Sequence, residues 1–183
     1  NIRGKWLIGA VVDMPFAVSP VVIGLALILV YGTGGWFGAD LAAVGIQVIF
    51  STPGIVMAVI FVSLPFVARE LIPLLQAIGD DAEKAAETLG ASAWQTFRKI
   101  TLPAIRWGVS YGIVLTTARA LGEFGAVTVV SGNITGETQT LPLYVSQQFE
   151  LFNSVGAYSA SLILAILALG TLLAMNLMRR GED

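Results

Sequence analysis

Residues 79–103 read GDDAEKAAETLGASAWQTFRKITLP and carry the most specific signal in the chain. Asp80, followed three residues later by Glu83, resembles an Asp-headed capping box and predicts the start of a short helix. The alanines at 82, 85 and 86 favour that helix and give it a small face. Gly90 then interrupts the pattern, which predicts a bend.

A second short helix is predicted after the bend, over Ala91–Lys99. It presents Trp94 and Phe97 beside two basic residues, and Leu102-Pro103 is expected to end it. Two short helices with an aromatic tip predict a protrusion rather than a pocket. The alternative is a solvated hairpin at a membrane surface.

The composition indicates a membrane protein. Of the 183 residues 56% are hydrophobic and 12% are charged, and the mean hydropathy is +0.81. Soluble domains are about one quarter charged. The formal charge of −2 does not suit a nucleic-acid partner. The chain has no Cys and no His, which excludes thiolate chemistry, a Ser-His triad and an ordinary zinc site, so we predict no catalytic residue, no metal ligand and no cofactor.

Four apolar stretches are long enough to cross a bilayer core of about 30 Å as helices. They are Leu7–Tyr31, Ile46–Val67, Val109–Val130 and Ala157–Met178. Their apolar residues run around the whole helix, as expected in lipid or in a bundle. Buried helices of a soluble protein are the alternative.

The positions of the Lys and Arg residues predict the orientation, because positive residues in short loops stay in the cytoplasm. They lie before the first span (Arg3, Lys5), between the second and third (Arg69, Lys84, Arg98, Lys99, Arg106) and after the fourth (Arg179, Arg180). The connections over residues 32–45 and 131–156 have none. Both ends and the middle loop are therefore predicted to be cytoplasmic.

Prolines interrupt the first two predicted spans, at Pro15, Pro20, Pro53 and Pro65. Such breaks survive in a membrane where protein or a water-filled path satisfies the freed backbone groups. The segment 13–20 is thus expected to face other helices, which makes Asp13 and Ser19 candidate path residues. A kink retained for packing is the alternative.

Two charged residues, Arg119 and Glu123, lie inside the third predicted span and on one helix face. Charges at this depth normally pair and face a bundle interior or a cavity. One interpretation is a structural ion pair. The other places Arg119 beside an anion path, where the planar guanidinium suits an oxyanion.

The loop also carries a family resemblance. The spacing Ala85-Ala86, Gly90, Ile100 and Leu102-Pro103 matches the signature E-A-A-x3-G-x9-I-x-L-P of permeases of bacterial ATP-binding-cassette (ABC) importers. The Glu of that pattern is Lys84 here, so no role is carried over to the first position. The resemblance implies that residues 79–104 dock on an ATPase subunit, with Trp94 and Phe97 near the contact.

The resemblance covers essentially the whole chain. DMPFAVSPVV from residue 13, FVARELIP from 66 and ARALGEFGAVTVVSGNITGETQTLPL from 118 look like sulfate permeases, while molybdate permeases share RALGEFGA and TQTLPL. It implies an all-α, polytopic, type I ABC importer permease domain over residues 1–183, in a bacterial inner membrane and without its N-terminal spans. Sulfate is favoured, and molybdate or tungstate is the alternative.

The implied partners are two copies of an ATPase, a second permease subunit, an extracytoplasmic sulfate-binding protein and the lipid membrane. A binding protein fits the outer loops, which carry Asp40, Glu137 and Glu150 but no cation to capture an anion. The glycine-rich run at 32–38 lacks the Lys-Ser/Thr of a phosphate loop, so the ATPase site is expected elsewhere.

Two functions outside this family remain open on the sequence. A transporter driven by an ion gradient would use charges inside the membrane such as Arg119 and Glu123, but it would leave the loop at residues 79–103 without a role. A purely structural membrane scaffold would need no path across the bilayer and would tolerate substitutions along residues 13–20.

Overall fold

The computed structural model describes residues 5–180, and this part of the chain is helical without a strand. The helices are α1 (Lys5–Ala17), α2 (Pro20–Tyr31), α3 (Gly38–Ala43), α4 (Thr52–Ile78), α5 (Asp81–Thr88), α6 (Ala93–Thr96), α7 (Leu102–Leu121), α8 (Gly125–Val130), α9 (Leu141–Glu150) and α10 (Ser154–Arg180). A π-helical turn, Phe97–Thr101, joins α6 to α7. Arg3, which contributed to the predicted orientation, lies outside the described residues.

The first predicted span is two helices rather than one. It breaks after α1, and Pro20 opens α2 at a first-turn position, where its missing N–H costs nothing. Ser19 is the residue before that turn, with an extended ψ of 136°. The proline pattern therefore marks a real interruption at this point.

The second predicted span, Ile46–Val67, begins six residues before the helix that forms there, which starts at Thr52. Helix α4 has 27 residues, about 40 Å in length, and extends eleven residues beyond the predicted end at Val67. Pro53 occupies its first turn, and Pro65 lies inside it. Arg69 consequently belongs to α4 and not to the connection that follows it, whereas its position on the cytoplasmic side stays a prediction.

The third predicted span, Val109–Val130, was also wrong. Helix α7 begins at Leu102 and ends at Leu121, and the short helix α8 follows after a break. The break has a physical cause, because Glu123 is buried and accepts a hydrogen bond from the backbone N–H of Ala126 in the first turn of α8. In a continuous helix that N–H would bond the carbonyl of Gly122, so the buried carboxylate replaces a helical hydrogen bond and stabilises the break.

The fourth predicted span coincides with α10, which begins three residues earlier than expected. Before it, α9 lies inside the segment predicted as an outer loop and packs along α10. The turn between these two helices includes Phe152, which has a φ of +57°.

The core lies where α2, α4 and α8 meet. Its buried residues are Ile23, Val48, Ile49, Ala58, Val62, Ala126 and Val130. Helices α2 and α8 approach closely at Gly24, where an added Cβ would lie 2.9 Å from the carbonyl oxygen of Ala126. Helices α4 and α7 also pack together, with Gly108 against Leu74.

Within the described residues, two helices are long and apolar enough to cross a membrane: α4, and α10 over Ser154–Leu177. Only 22% and 11% of their most apolar windows are buried. Exposed apolar helices of this length do not suit the core of a soluble protein, and they fit a surface covered by lipid or by other apolar protein. Helix α2 is apolar but has only 12 residues, and α7 is long enough, with 20 residues, but is not apolar enough to be counted.

Candidate functional site

The bend at Gly90 ends α5 in a Schellman motif. The N–H of Gly90 donates to the carbonyl of Glu87, and the N–H of Ala91 donates to the carbonyl of Ala86, each at 3.0 Å. Gly90 has a φ of +84°, in the left-handed region that favours glycine. An added Cβ at Gly90 would meet nothing within 4 Å.

The predicted capping box at the start of α5 is not formed. Asp80 precedes α5, but its φ of −116° and ψ of 8° leave its side chain without a capping hydrogen bond. Its carboxylate instead accepts from Lys84 at 2.8 Å, and this hydrogen bond lowers the pKa of Asp80 below its usual value. Glu83 is bound by the hydroxyl of Thr101, which ties α5 to the π-helical turn.

A capping box does form at the start of α6. The hydroxyl of Ser92 accepts from the N–H of Gln95, and the side-chain oxygen of Gln95 accepts from the N–H of Ser92. The box orients the aromatic tip, where Trp94 and Phe97 stack with ring centroids 5.7 Å apart. Trp94 is 66% exposed and Phe97 42%, so this part of the chain presents an apolar tip to its surroundings. We call residues 79–104 the docking loop, after the role that the family resemblance implies.

Leu102-Pro103 does not end the second helix, as the sequence had suggested. The backbone passes from α6 through the π-helical turn directly into α7, with Pro103 in the first turn of α7. The wider hydrogen-bonded rings of a π turn interrupt the i→i−4 pattern that Pro disrupts, so the chain stays helical here.

The remaining signature residues lie in α5, in the π-helical turn and in the first turn of α7. Ala86 is buried, Ile100 is half-buried, and Ala85, Leu102 and Pro103 are exposed. Buried Ala86 holds the bend together, whereas the exposed residues are available to a partner.

The ion pair predicted in the third span is formed. A terminal nitrogen of Arg119 lies 2.8 Å from Oε2 of Glu123, and Oε1 of Glu123 accepts from Ala126. The side chain of Glu123 is 4% exposed and that of Arg119 is 28% exposed. Both carboxylate oxygens are occupied, whereas the guanidinium is partly open.

Asp13 pairs with Arg69, whose Nε lies 3.2 Å from Oδ1 of the carboxylate. The guanidinium carbon of Arg69 lies 4.0 Å from the ring centre of Phe16. Phe16 contacts Phe66 with centroids 4.7 Å apart, and the guanidinium carbon of Arg119 lies 4.7 Å from the ring centre of Phe66. We call the two arginines and two phenylalanines of α1, α4 and α7 the arginine–phenylalanine stack.

The stack connects two of the predicted path residues, Asp13 and Arg119, through residues that the sequence reasoning missed. One signal was available in the sequence, because both phenylalanines directly follow a proline, as Pro15-Phe16 and Pro65-Phe66. In the structure both prolines are buried and lie inside a helix. Ser19, the remaining predicted path residue, is exposed and is not a member of the stack.

The arrangement offers contacts for an anion and for a protein partner. No group of three or more potential metal-ligating side chains occurs within the part of the chain that the structure describes. Guanidinium groups beside an aromatic stack can contact an anion, and an exposed apolar tip can dock in a groove of another protein.

A family model described as "Binding-protein-dependent transport system inner membrane component" matches residues 1–180. Among curated relatives, a sulfate transport system permease protein CysW of Synechococcus elongatus is 55% identical, with 96% of this chain and 61% of the relative covered. The CysW protein of Escherichia coli K12 is 48% identical over 98% of this chain and 62% of the relative. Sulfate permease 2, chloroplastic, of Chlamydomonas reinhardtii is 53% identical over 92% and 46%. The chain thus spans less than two thirds of these relatives.

Solved structures show the same fold. A bacterial ABC transporter involved in the import of the acidic polysaccharide alginate matches with a TM-score of 0.74 and 20% identity, over 98% of this chain and 68% of that one. The same TM-score, at 19% identity, is found for an alginate ABC transporter in complex with a periplasmic protein that holds an alginate pentasaccharide, over 98% and 67%. The helical architecture is therefore that of an ABC importer permease.

Proposed function

The chain belongs to the family of binding-protein-dependent transport system inner membrane components, and we propose that it is a permease subunit that carries sulfate inward at the expense of ATP hydrolysed by a separate subunit. Relatives named as sulfate permeases support the cargo at 48–55% identity. The proposed partners are two ATPase copies, a second permease and an extracytoplasmic sulfate-binding protein. Both ends of the chain are proposed to lie in the cytoplasm.

The observation that carries the proposal is the connection between the docking loop and the candidate path. The exposed tip at Trp94 and the partly open Arg119 lie on one helical run, from α6 through the π-helical turn into α7. About 26 Å of helix separates Leu102 from Arg119. A movement imposed on the tip by an ATPase therefore reaches the path without passing through a flexible loop.

The proposed cycle follows from this connection. ATP binding draws the two ATPases together and carries the docking loops with them, which opens the path toward the binding protein. Hydrolysis and release return the loops and close the outer end. The chain itself supplies the path and the lever.

Vesicles containing the full-length subunit, its partner permease, the ATPase and the binding protein test the proposal. We expect uptake of labelled sulfate that requires ATP and binding protein and persists when the membrane potential and proton gradient are collapsed. Uptake driven by an ion gradient without ATP would contradict an ABC mechanism. Uptake of molybdate in preference to sulfate would reassign the cargo.

A further inference from the structure

On the basis of the proposed function, we propose that Arg69 and Arg119 are successive contacts for a divalent tetrahedral oxyanion, with Phe16 and Phe66 as the spacer between them. Arg69 becomes a specificity-determining residue of the path, although the sequence pattern had placed it in a cytoplasmic loop. Three observations support this: the exposed charges, the geometry of the stack, and the difference between the carboxylate partners of the two arginines.

The exposed charges identify which face of the chain borders the path. The side chains of Arg69 and Asp13 are 58% and 53% exposed, although Arg69 lies about 25 Å along α4. Charged groups at membrane depth face a bundle interior or a water-filled cavity, because contact with lipid is costly. The exposed side chains along α10 are by contrast apolar, as in Leu162 and Ile166. The face with the arginine–phenylalanine stack therefore suits a polar path.

The geometry of the stack leaves hydrogen-bond donors available. Each guanidinium contacts a ring, Arg69 with Phe16 and Arg119 with Phe66, and the two rings contact each other. A guanidinium has five N–H donors, and its carboxylate partner engages only part of them. The rings also separate two like charges that would otherwise repel. The two guanidinium groups thus retain donors for the oxygens of a tetrahedral anion.

The charges of the cluster balance. Asp13 and Glu123 offset the two arginines, so an incoming dianion meets fixed donors without a large net positive charge. Glu70, the nearest further carboxylate in the α4 sequence, has its stem directed toward Gly112 of α7. A transported ion must be bound well enough to enter and weakly enough to leave, and a balanced cluster meets both conditions.

The two arginines differ in how firmly they are held. Glu123 is buried, with both oxygens engaged, which fixes Arg119. In the Asp13–Arg69 pair, by contrast, both side chains are exposed. An oxyanion can therefore displace Asp13 from Arg69, whereas Glu123 stays in place. Asp13 then acts as a competitor of the substrate rather than as its ligand.

This competition gives the test its direction. In vesicles with the complete transporter, Arg69→Gln should raise the KM for sulfate about tenfold, the effect of losing one charge-assisted contact. Asp13→Asn should lower the KM, because it removes the competitor and leaves Arg69. Arg69→Lys, which keeps the charge but not the planar fork, should fall between Arg69→Gln and the wild type. The amount of each variant in the membrane is measured in parallel.

Arg106→Gln is the matched control, because Arg106 also lies beside an aromatic ring, that of Trp107, but outside the stack. Its KM should equal that of the wild type. If Arg69→Gln leaves the KM unchanged, or if Asp13→Asn raises it as much as Arg69→Gln does, the pair is structural and the proposal is overturned. Absence of ATP-driven sulfate uptake by the wild type would overturn the proposed function itself, and this proposal with it.

Discussion

Substitutions at Gly90 test whether the docking loop needs both its bend and an open surface. Gly90 has a φ of +84°, and a residue with a Cβ pays about 1–2 kcal/mol for this left-handed conformation. That cost lowers the local population of the bent loop roughly 5- to 30-fold relative to unbent conformations. Asn enters the left-handed region more readily than Ala, so Gly90→Asn should be milder than Gly90→Ala.

The surroundings of Gly90 make the size of the new side chain informative. Because a Cβ there meets nothing within 4 Å, Leu should cost the isolated chain about as much as Ala. Any loss of ATPase association in Gly90→Leu beyond that in Gly90→Ala therefore measures how closely another subunit approaches. We expect such an additional loss, with ATP-driven uptake abolished and the amount of protein in the membrane near normal.

The assay is copurification of the ATPase from detergent-solubilised membranes, together with uptake and an immunoblot of the permease. Gly136 provides the control, because its φ is +83° and its Cβ position is equally open, but it lies in the loop before α9. Gly136→Leu carries the same backbone strain and should retain the ATPase. Normal uptake by Gly90→Leu would refute the role of the loop.

Three further predictions concern the path, the orientation in the membrane and the hydrogen bond between Thr101 and Glu83. Arg119→Gln should lower sulfate uptake more than it lowers the amount of folded protein, and full uptake by the charge-exchanged variant Arg119→Glu with Glu123→Arg would favour a purely structural pair. In this cysteine-free chain, Glu87→Cys should react with an impermeant thiol reagent only from the cytoplasm and Glu137→Cys only from outside, and the reverse at either site would contradict the orientation. Thr101→Val removes the hydrogen bond to Glu83 of α5, worth about 1–3 kcal/mol. It should raise the number of ATP molecules hydrolysed per sulfate transported. An unchanged ratio would argue against a role for this hydrogen bond in transmitting movement.

Local signals in the sequence were sufficient for the bend and for the aromatic tip. Gly90 takes a conformation that glycine favours, and Trp94 and Phe97 are exposed, because such features depend on a few neighbouring residues. The long apolar helix α10 was equally accessible, since its length and composition settle its type. The pairing of Arg119 with Glu123 was predicted from helical spacing, and it forms although α7 ends at Leu121 and Glu123 lies beyond that end.

Features that depend on hydrogen bonds chosen during packing could not be predicted. Asp80 prefers Lys84 to the backbone of α5, and Ser92 forms the capping box instead. The break at Glu123 was hidden because averaged hydropathy passes over one buried carboxylate between two apolar segments. Arg69 was assigned to the connection after the span for a different reason, because the apolar run of α4 weakens before the helix ends.

The π-helical turn joins the docking loop to α7 without a break in the helical backbone. A simple helical stop at Pro103 would have separated the docking loop from α7 and allowed the loop to move alone. Instead, the backbone stays helical from Ala93 to Leu121, and the hydrogen bond between Glu83 and Thr101 fastens α5 to the joint. Both α5 and α6 are thus attached to the N-terminal end of α7. Near the C-terminal end of α7, Arg119 contacts the ring of Phe66. If the proposed function holds, a shift of the tip displaces Arg119 of α7 relative to Phe66 and Arg69 of α4, and the proposed anion contacts change as the loop moves.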